Sequence, residues 1–256
     1  MKPNESAQPG APSGAVSEVF AVDRLVSFWN VDRDNLLSLR SLFAFMQEAA
    51  IRHADQCGSG ARAKQERNET WVLQRMAVRV ERYPRYDEAL RVTTWSSGIR
   101  AFKGFRDFRV HCGREPVASA SSVWLYLDLA RKAICRVPRD VADGFPARLG
   151  EAFFPDLERL RLGPVAGGPI GRDISVRYSD VDGNGHVNNT AYFDYLQTAL
   201  AAEGFPPRPR TVQVQFLREI TPAVEHVRVS LERRGQEVAF GIGGGGGAFA
   251  QGAAAY

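Results

Sequence analysis

The chain has 256 residues, 44% hydrophobic and 24% charged, with a formal net charge of +4. That length holds one large domain or two small ones, and the balance is that of an ordinary globular protein. No run of about 18 apolar residues reads as a membrane span, and so small a positive charge over this length does not point to nucleic acid. Cys57, Cys112 and Cys135 stand apart, with no Cys-x-x-Cys pair to suggest zinc or a redox couple, which fits a reducing cytoplasm.

Residues 1–18, MKPNESAQPGAPSGAVSE, lack an apolar stretch and an arginine, and read as a disordered tail rather than a signal or transit peptide. Residues 19–139 form a first unit. Ser38 caps a helix running to about Gly58, and the strands VLQRMAVRV, ALRVTTW, GFRDFRVHC, PVASASSVWLYLDL and AICRV follow. Residues 140–172, rich in Gly and Pro toward their end, read as a linker. Residues 173–256 form a second unit: the strand-like DISVRYSD, a polar loop, then a helix capped by Asn188 or Asn189. Its apolar residues Tyr192, Phe193, Leu196, Ala199 and Leu200 keep helical spacing, and Gly204 with Pro206 ends it. The terminal GIGGGGGAFAQGAAAY lacks the Lys-Ser/Thr of a phosphate loop and reads as a hairpin tip before a short last strand.

The two units are copies. At a constant offset of 150, Val31, Asp32, Phe43, Gln47 and Ala49 meet Val181, Asp182, Phe193, Gln197 and Ala199. Further on, with slight slack, Glu81 lies over Glu219 and Pro84 over Pro222. One helix against an antiparallel sheet, made twice, is an α+β architecture. The loop YSDVDGNGHVNN resembles a calcium loop at Asp180, Asp182, Asn184 and Gly185, but its twelfth place is Ala191 instead of a bidentate Glu, and a strand precedes it. No metal or cofactor is expected.

Asp182, Asn184, His186, Val187, Asn188 and Asn189, followed by Tyr192, resemble the Asp-x-Asn-x-His-Val-Asn-Asn signature of the acyl-acyl-carrier-protein thioesterases, and FLREI places Glu219 at that family's glutamate position. The segments SLFAFMQEAAIRHA, VTTWSSGIRAFKGFRDFRV and ASSVWLYLDLARKAICRVP are similar to first-half segments of the family. The resemblance implies a tandem (double) hotdog, each half a long central helix wrapped by an antiparallel sheet, and a hydrolase releasing free fatty acid from acyl carrier protein. Fusion of the two halves leaves a monomer or a homodimer open. Ile220 stands where plant members carry Cys, so a cysteine acyl-enzyme is unavailable there.

Thioester hydrolysis needs an activated water, a stabilised carbonyl oxygen and a departing thiolate, already a good leaving group at a thiol pKa of about 8.5. Glu219, expected on a half-buried strand that would sharpen its basicity, is the favoured base. Asp182 would orient the water or His186, Asn184 would hold substrate or water, and His186 would hydrogen-bond or shuttle a proton. The helix start near Asn188, Asn189 and Ala191 offers free N–H groups to an oxyanion. Each residue alone has a duller reading: a packed histidine, helix-cap asparagines, turn aspartates. The first copy, however, has Asp34, Leu36, Ser38 and Leu39 where the second has Asn184, His186, Asn188 and Asn189. The polar set is therefore not needed by the fold. Leu39, Leu42, Phe43 and Met46 of the first helix would line an acyl tunnel, or simply be core. Arg62, Lys64 and Arg67, with Arg79, Arg82 and Arg85, are candidates for a basic face toward an acidic carrier protein. Rival readings are an acyl-CoA thioesterase, a non-catalytic acyl-chain binding protein and, less well supported, a hotdog dehydratase.

Overall fold

The computed structural model describes residues 16–150, 152–165 and 170–256. Most of the expected tail lies outside the described residues, but its last residues are held: the Ser17 carbonyl accepts from His53 Nε2 at 3.3 Å. The first half runs β1 (Val19–Leu25), α1 (Leu39–Gln56), a short α2 (Ala61–Arg67), β2 (Glu69–Val80), β3 (Ala89–Arg100), β4 (Lys103–Cys112), β5 (Glu115–Asp128) and β6 (Ala133–Ile134). After α3 (Arg139–Asp143) come β7 (Ile170–Ser175), α4 (Asn189–Ala202), β8 (Thr211–Phe216), β9 (His226–Arg234), β10 (Glu237–Gly244) and β11 (Gly247–Ala255). The caps are those expected: Ser38 accepts from the N–H of Ser41, and Asn188 from that of Thr190. The short α2 was not foreseen.

Period-two patterning builds one continuous antiparallel sheet in the order β1-β3-β4-β5-β2-β8-β11-β10-β9-β7, with β6 on β5. The order is its own mirror, and the halves join where β2 pairs with β8 and Met76 faces Val214. α1 and α4 lie against each other in front of this sheet, and the rings of Phe43 and Phe193 stack with centroids 3.3 Å apart. These two residues are equivalent at the 150 offset, so an approximate two-fold axis passes between them. This is the tandem hotdog, with one apolar core running through both halves.

Leu39, Leu42, Phe43 and Met46 are all buried in that core. Residues of the expected linker also pack: Phe145 and Val165 are buried, and Leu157 lies with Ala77 and Val123. The glycine run is a hairpin turn, as expected, with Gly245 and Gly246 at φ +56° and +87°, dihedrals that favour glycine. The strand after it is nine residues long rather than short. Gly252 is needed in it, because a Cβ there would sit 2.2 Å from the Gln213 carbonyl oxygen. No helix among the described residues is long and apolar enough to cross a membrane.

Candidate active site

The polar loop is built twice with the same backbone bonds. In the second half the Asp182 N–H donates to the His186 carbonyl (2.9 Å), Gly185 to Asp182 (2.9 Å) and Asn188 to Asp180 (2.8 Å). In the first, Asp32 donates to Leu36 (2.8 Å), Asn35 to Asp32 (3.0 Å) and Ser38 to Asn30 (2.9 Å). Asp182 accepts from the Asn184 N–H at 2.8 Å, as Asp32 does from that of Asp34 at 2.9 Å. One oxygen of each aspartate is thus a turn acceptor required by the loop itself.

Asp180 anchors the loop from beneath. Fully buried, it accepts from Tyr195 Oη at 2.8 Å, from the Arg177 N–H at 3.0 Å and from the Arg177 and Arg40 guanidinium groups. Burial alone would push its carboxyl up, but the bonds from Arg177 and Tyr195 outweigh that and hold it below the usual carboxylate range.

His186 and Glu219 meet side chain to side chain, with Nε2 and Oε2 3.2 Å apart. Glu219 is not on a half-buried strand, as expected, but in the loop just past β8, with its side chain 59% exposed. The cause is a break in the ladder: the N–H groups of Leu217 and Arg218 share the Phe249 carbonyl, at 2.8 and 3.2 Å, and the chain leaves the sheet. Two contacts hold this exit beside the loop. The Val187 N–H donates to the Ile220 carbonyl at 2.9 Å, and Tyr192 Oη to that of Arg218 at 3.4 Å. The buried Tyr192 is therefore a strut under Glu219, and burial pushes its phenol up. Asp182 does not meet His186 side chain to side chain; its second oxygen accepts from Asn188 Nδ2 at 3.1 Å.

At the start of α4, Asn188 occupies two of the first-turn donors: its side chain takes the Thr190 N–H (2.9 Å) and its carbonyl that of Ala191 (2.9 Å). Asn189, the first helical residue, has an N–H with no intrahelical partner. The expected stretch of free donors from Asn188 to Ala191 thus narrows to Asn189.

The corresponding loop of the first half is filled. Arg208 donates to Asp32 at 2.6 Å and to Asp34 at 2.7 Å, and Gln197 accepts from the Leu39 N–H at 3.1 Å. In the second half Lys64, on α2, donates to Asn184 Oδ1 at 2.5 Å. Since Asn184 is the counterpart of Asp34, Lys64 holds the place Arg208 holds, with one bond instead of two ion pairs.

The expected basic face needs correction. Arg82 is held by Glu88 and Glu115, each at 2.7 Å, and Arg67 is paired with Asp140. Arg85 lies opposite Leu36, beside the filled loop; Arg79 sits over the Phe154 ring, and the side chain of Arg62 lies outside the described residues. The cations beside the open loop are Lys64 and the exposed Arg218, which touches the Phe249 ring and has no carboxylate partner among the described residues.

Fold and loop define a tandem-hotdog protein whose polar side-chain set sits on one of two matching loops. Comparison with known proteins gives the family: residues 17–145 match the acyl-ACP thioesterase N-terminal domain and residues 169–241 the C-terminal domain. The chain belongs to the acyl-ACP thioesterase family. It is 27% identical over 190 residues to a chloroplastic palmitoyl-acyl carrier protein thioesterase of Gossypium hirsutum, an alignment covering 70% of this chain and 46% of that protein. It is 26% identical over 196 residues to a chloroplastic dodecanoyl-[acyl-carrier-protein] hydrolase of Umbellularia californica, covering 70% and 50%. The chain thus spans about half the length of the curated relatives it matches. Among solved structures, its fold is similar to the 12:0-ACP thioesterase of Umbellularia californica (TM-score 0.79, 21% identity, 94% of this chain and 98% of that one). It is also similar to an acyl-ACP thioesterase of Bacteroides thetaiotaomicron (TM-score 0.76, 20% identity, 93% and 97%).

Proposed function

We propose that this chain hydrolyses the thioester of acyl-acyl carrier protein and releases a free fatty acid. The observation that carries the reading is the His186–Glu219 pair, 3.2 Å apart, where the loop that opens α4 meets the chain leaving β8 in a chain of this family.

The thioester carbonyl oxygen meets the Asn189 N–H, where the helix terminus favours the negative charge that develops during attack. His186 takes a proton from the attacking water, and Glu219, bound to Nε2, steadies the imidazolium. The water oxygen bonds to the carbonyl carbon, the C–S bond breaks, and the proton passes to the departing thiolate. Glu219 thus acts through His186, because its carboxylate already meets the imidazole. Asp182 is a positioning residue: it ties the Asn184 N–H to Asn188, the residue that shapes the helix start. Leu39, Leu42, Phe43 and Met46 of α1 are packed in the core, so an acyl chain along this stripe requires them to part. Lys64 and Arg218 face the acidic carrier. Three unpaired cysteines fit a reducing compartment such as the cytoplasm.

The test is thiol release from carrier-protein and CoA thioesters of graded chain length, with wild type and His186→Ala. Faster turnover of carrier-protein thioesters, lost in the variant, supports the reading. Preference for CoA moves the substrate to acyl-CoA, and acyl binding without thiol release makes the chain a binding protein.

A further inference from the structure

The two helices are in register along one seam. Leu39, Phe43 and Gln47 follow at four-residue spacing on α1, and Asn189, Phe193 and Gln197 do so on α4. Phe43 stacks on Phe193, and one turn away the Gln197 carboxamide accepts from the Leu39 N–H at 3.1 Å. In an antiparallel pair related by a two-fold axis, the turn on the other side of the phenylalanines brings Gln47 to Asn189. Its counterpart Gln197 also extends Nε2 toward Asp32, at 3.5 Å. Gln47 is half-buried, and its carboxamide has no hydrogen-bond partner among the described residues.

The first half therefore contains an internal picture of an occupied site: a side-chain carbonyl oxygen, Gln197 Oε1, seated on the first N–H of a helix. The second half has the same N–H, on Asn189, and no such oxygen on it. We propose that Gln47 is a catalytic residue contributed by the first half. The substrate's thioester oxygen takes the place that Gln197 Oε1 takes in the twin, and Gln47 Nε2 is the second donor to it beside the Asn189 N–H. Two donors to one developing oxyanion stabilise the transition state more than the ground state. The helix that walls the acyl chain also completes the catalytic centre of the other half.

This inference rests on the hydrolase reading above, and the experiment separates the two. Steady-state thiol release from an acyl carrier protein thioester is measured for wild type, Gln47→Met, Gln47→Glu and Gln197→Met, with thermal midpoints. Methionine keeps the volume without the donor, and glutamate keeps the shape but as an ion only accepts. Both Gln47 variants are expected to lose about a hundredfold in kcat, with KM and midpoint near wild type. Gln197→Met, which uncaps Leu39, is expected to keep kcat and to melt about 2–4 °C lower. An active wild type with full kcat in Gln47→Met overturns the proposal and leaves the hydrolase reading standing. Full kcat in Gln47→Glu likewise overturns the donor role. A wild type that releases no thiol overturns both.

Discussion

The two loops of this molecule have the same backbone and different contents. In the first half Arg208 bonds Asp32 and Asp34, and Gln197 fills the helix start, so both loop aspartates and the first helical N–H are satisfied within the chain. In the second half the arginine's place holds a lysine on a neutral amide, the Asn189 N–H is uncapped, and His186 and Glu219 meet at the surface where the first copy has Leu36 and Tyr83. The Leu37 bond to Pro84 matches the Val187 bond to Ile220, so Glu81 does not lie at the place of Glu219 that the sequence suggested. Duplication thus separates the demands on one loop: one copy ties its polar groups to the chain, and the other, in the proposed function, keeps them for a ligand. The Asx turn at Asp32 and Asp182, common to both, belongs to folding; the proposed function rests on what differs.

The comparison can be broken at its strongest point by removing the imidazole. His186→Ala is expected to lower kcat by about 10²- to 10⁴-fold with little change in thermal midpoint, read by thiol release; retained turnover would place the base elsewhere. Removing the plug acts oppositely. Arg208→Ala strands the partly buried carboxylate of Asp32 and frees the exposed one of Asp34, and is expected to cost about 1 kcal/mol in denaturant unfolding, with kcat per folded molecule unchanged. A drop in kcat without a loss of stability would mean that the first loop is not merely structural.

Asp180 sharpens the comparison through pH. Its folded carboxyl is held below the unfolded value of about 3.9. The stability it contributes is thus present above about pH 4 and lost as pH falls through the depressed folded value. Asp180→Asn should therefore be less stable than wild type at pH 7, and the gap should close on acidification below about pH 4. A gap that stays constant into acid would contradict the assignment. The smallest effect is expected from Leu36→His, which puts an imidazole on the filled loop: no second active site, and turnover as in wild type. Added activity from it would show that the plug does not decide which half works.

Much of this was legible in the sequence. The 150-residue offset exposed the duplication, periodicity and caps placed both long helices, and the Asp182–Asn189 signature located the loop. Other features were not, or only in part. Glu219 follows strand-like alternation in QVQFLREI, but Leu217 and Arg218 share one carbonyl, a tertiary event that turns the chain out of the sheet. Lys64 and Arg208 lie 120 and 174 residues from the side chains they reach in Asn184 and Asp34, beyond any local pattern. Gln47 was visible as a match to Gln197, yet a polar residue kept in both copies of an apolar helix stripe was the signal of its place on the seam. Arginines judged basic by composition proved to be neutralised: Arg82 by two glutamates and Arg67 by Asp140.

The central claim, that only the second loop does chemistry, is tested most directly by one glutamate from each half, Glu219 beside the second loop and Glu81 just past β2. Single-turnover release of thiol from acyl-acyl carrier protein should fall by about a hundredfold or more in Glu219→Ala and stay at the wild-type rate in Glu81→Ala. Equal losses in both variants, or none in Glu219→Ala, would contradict it.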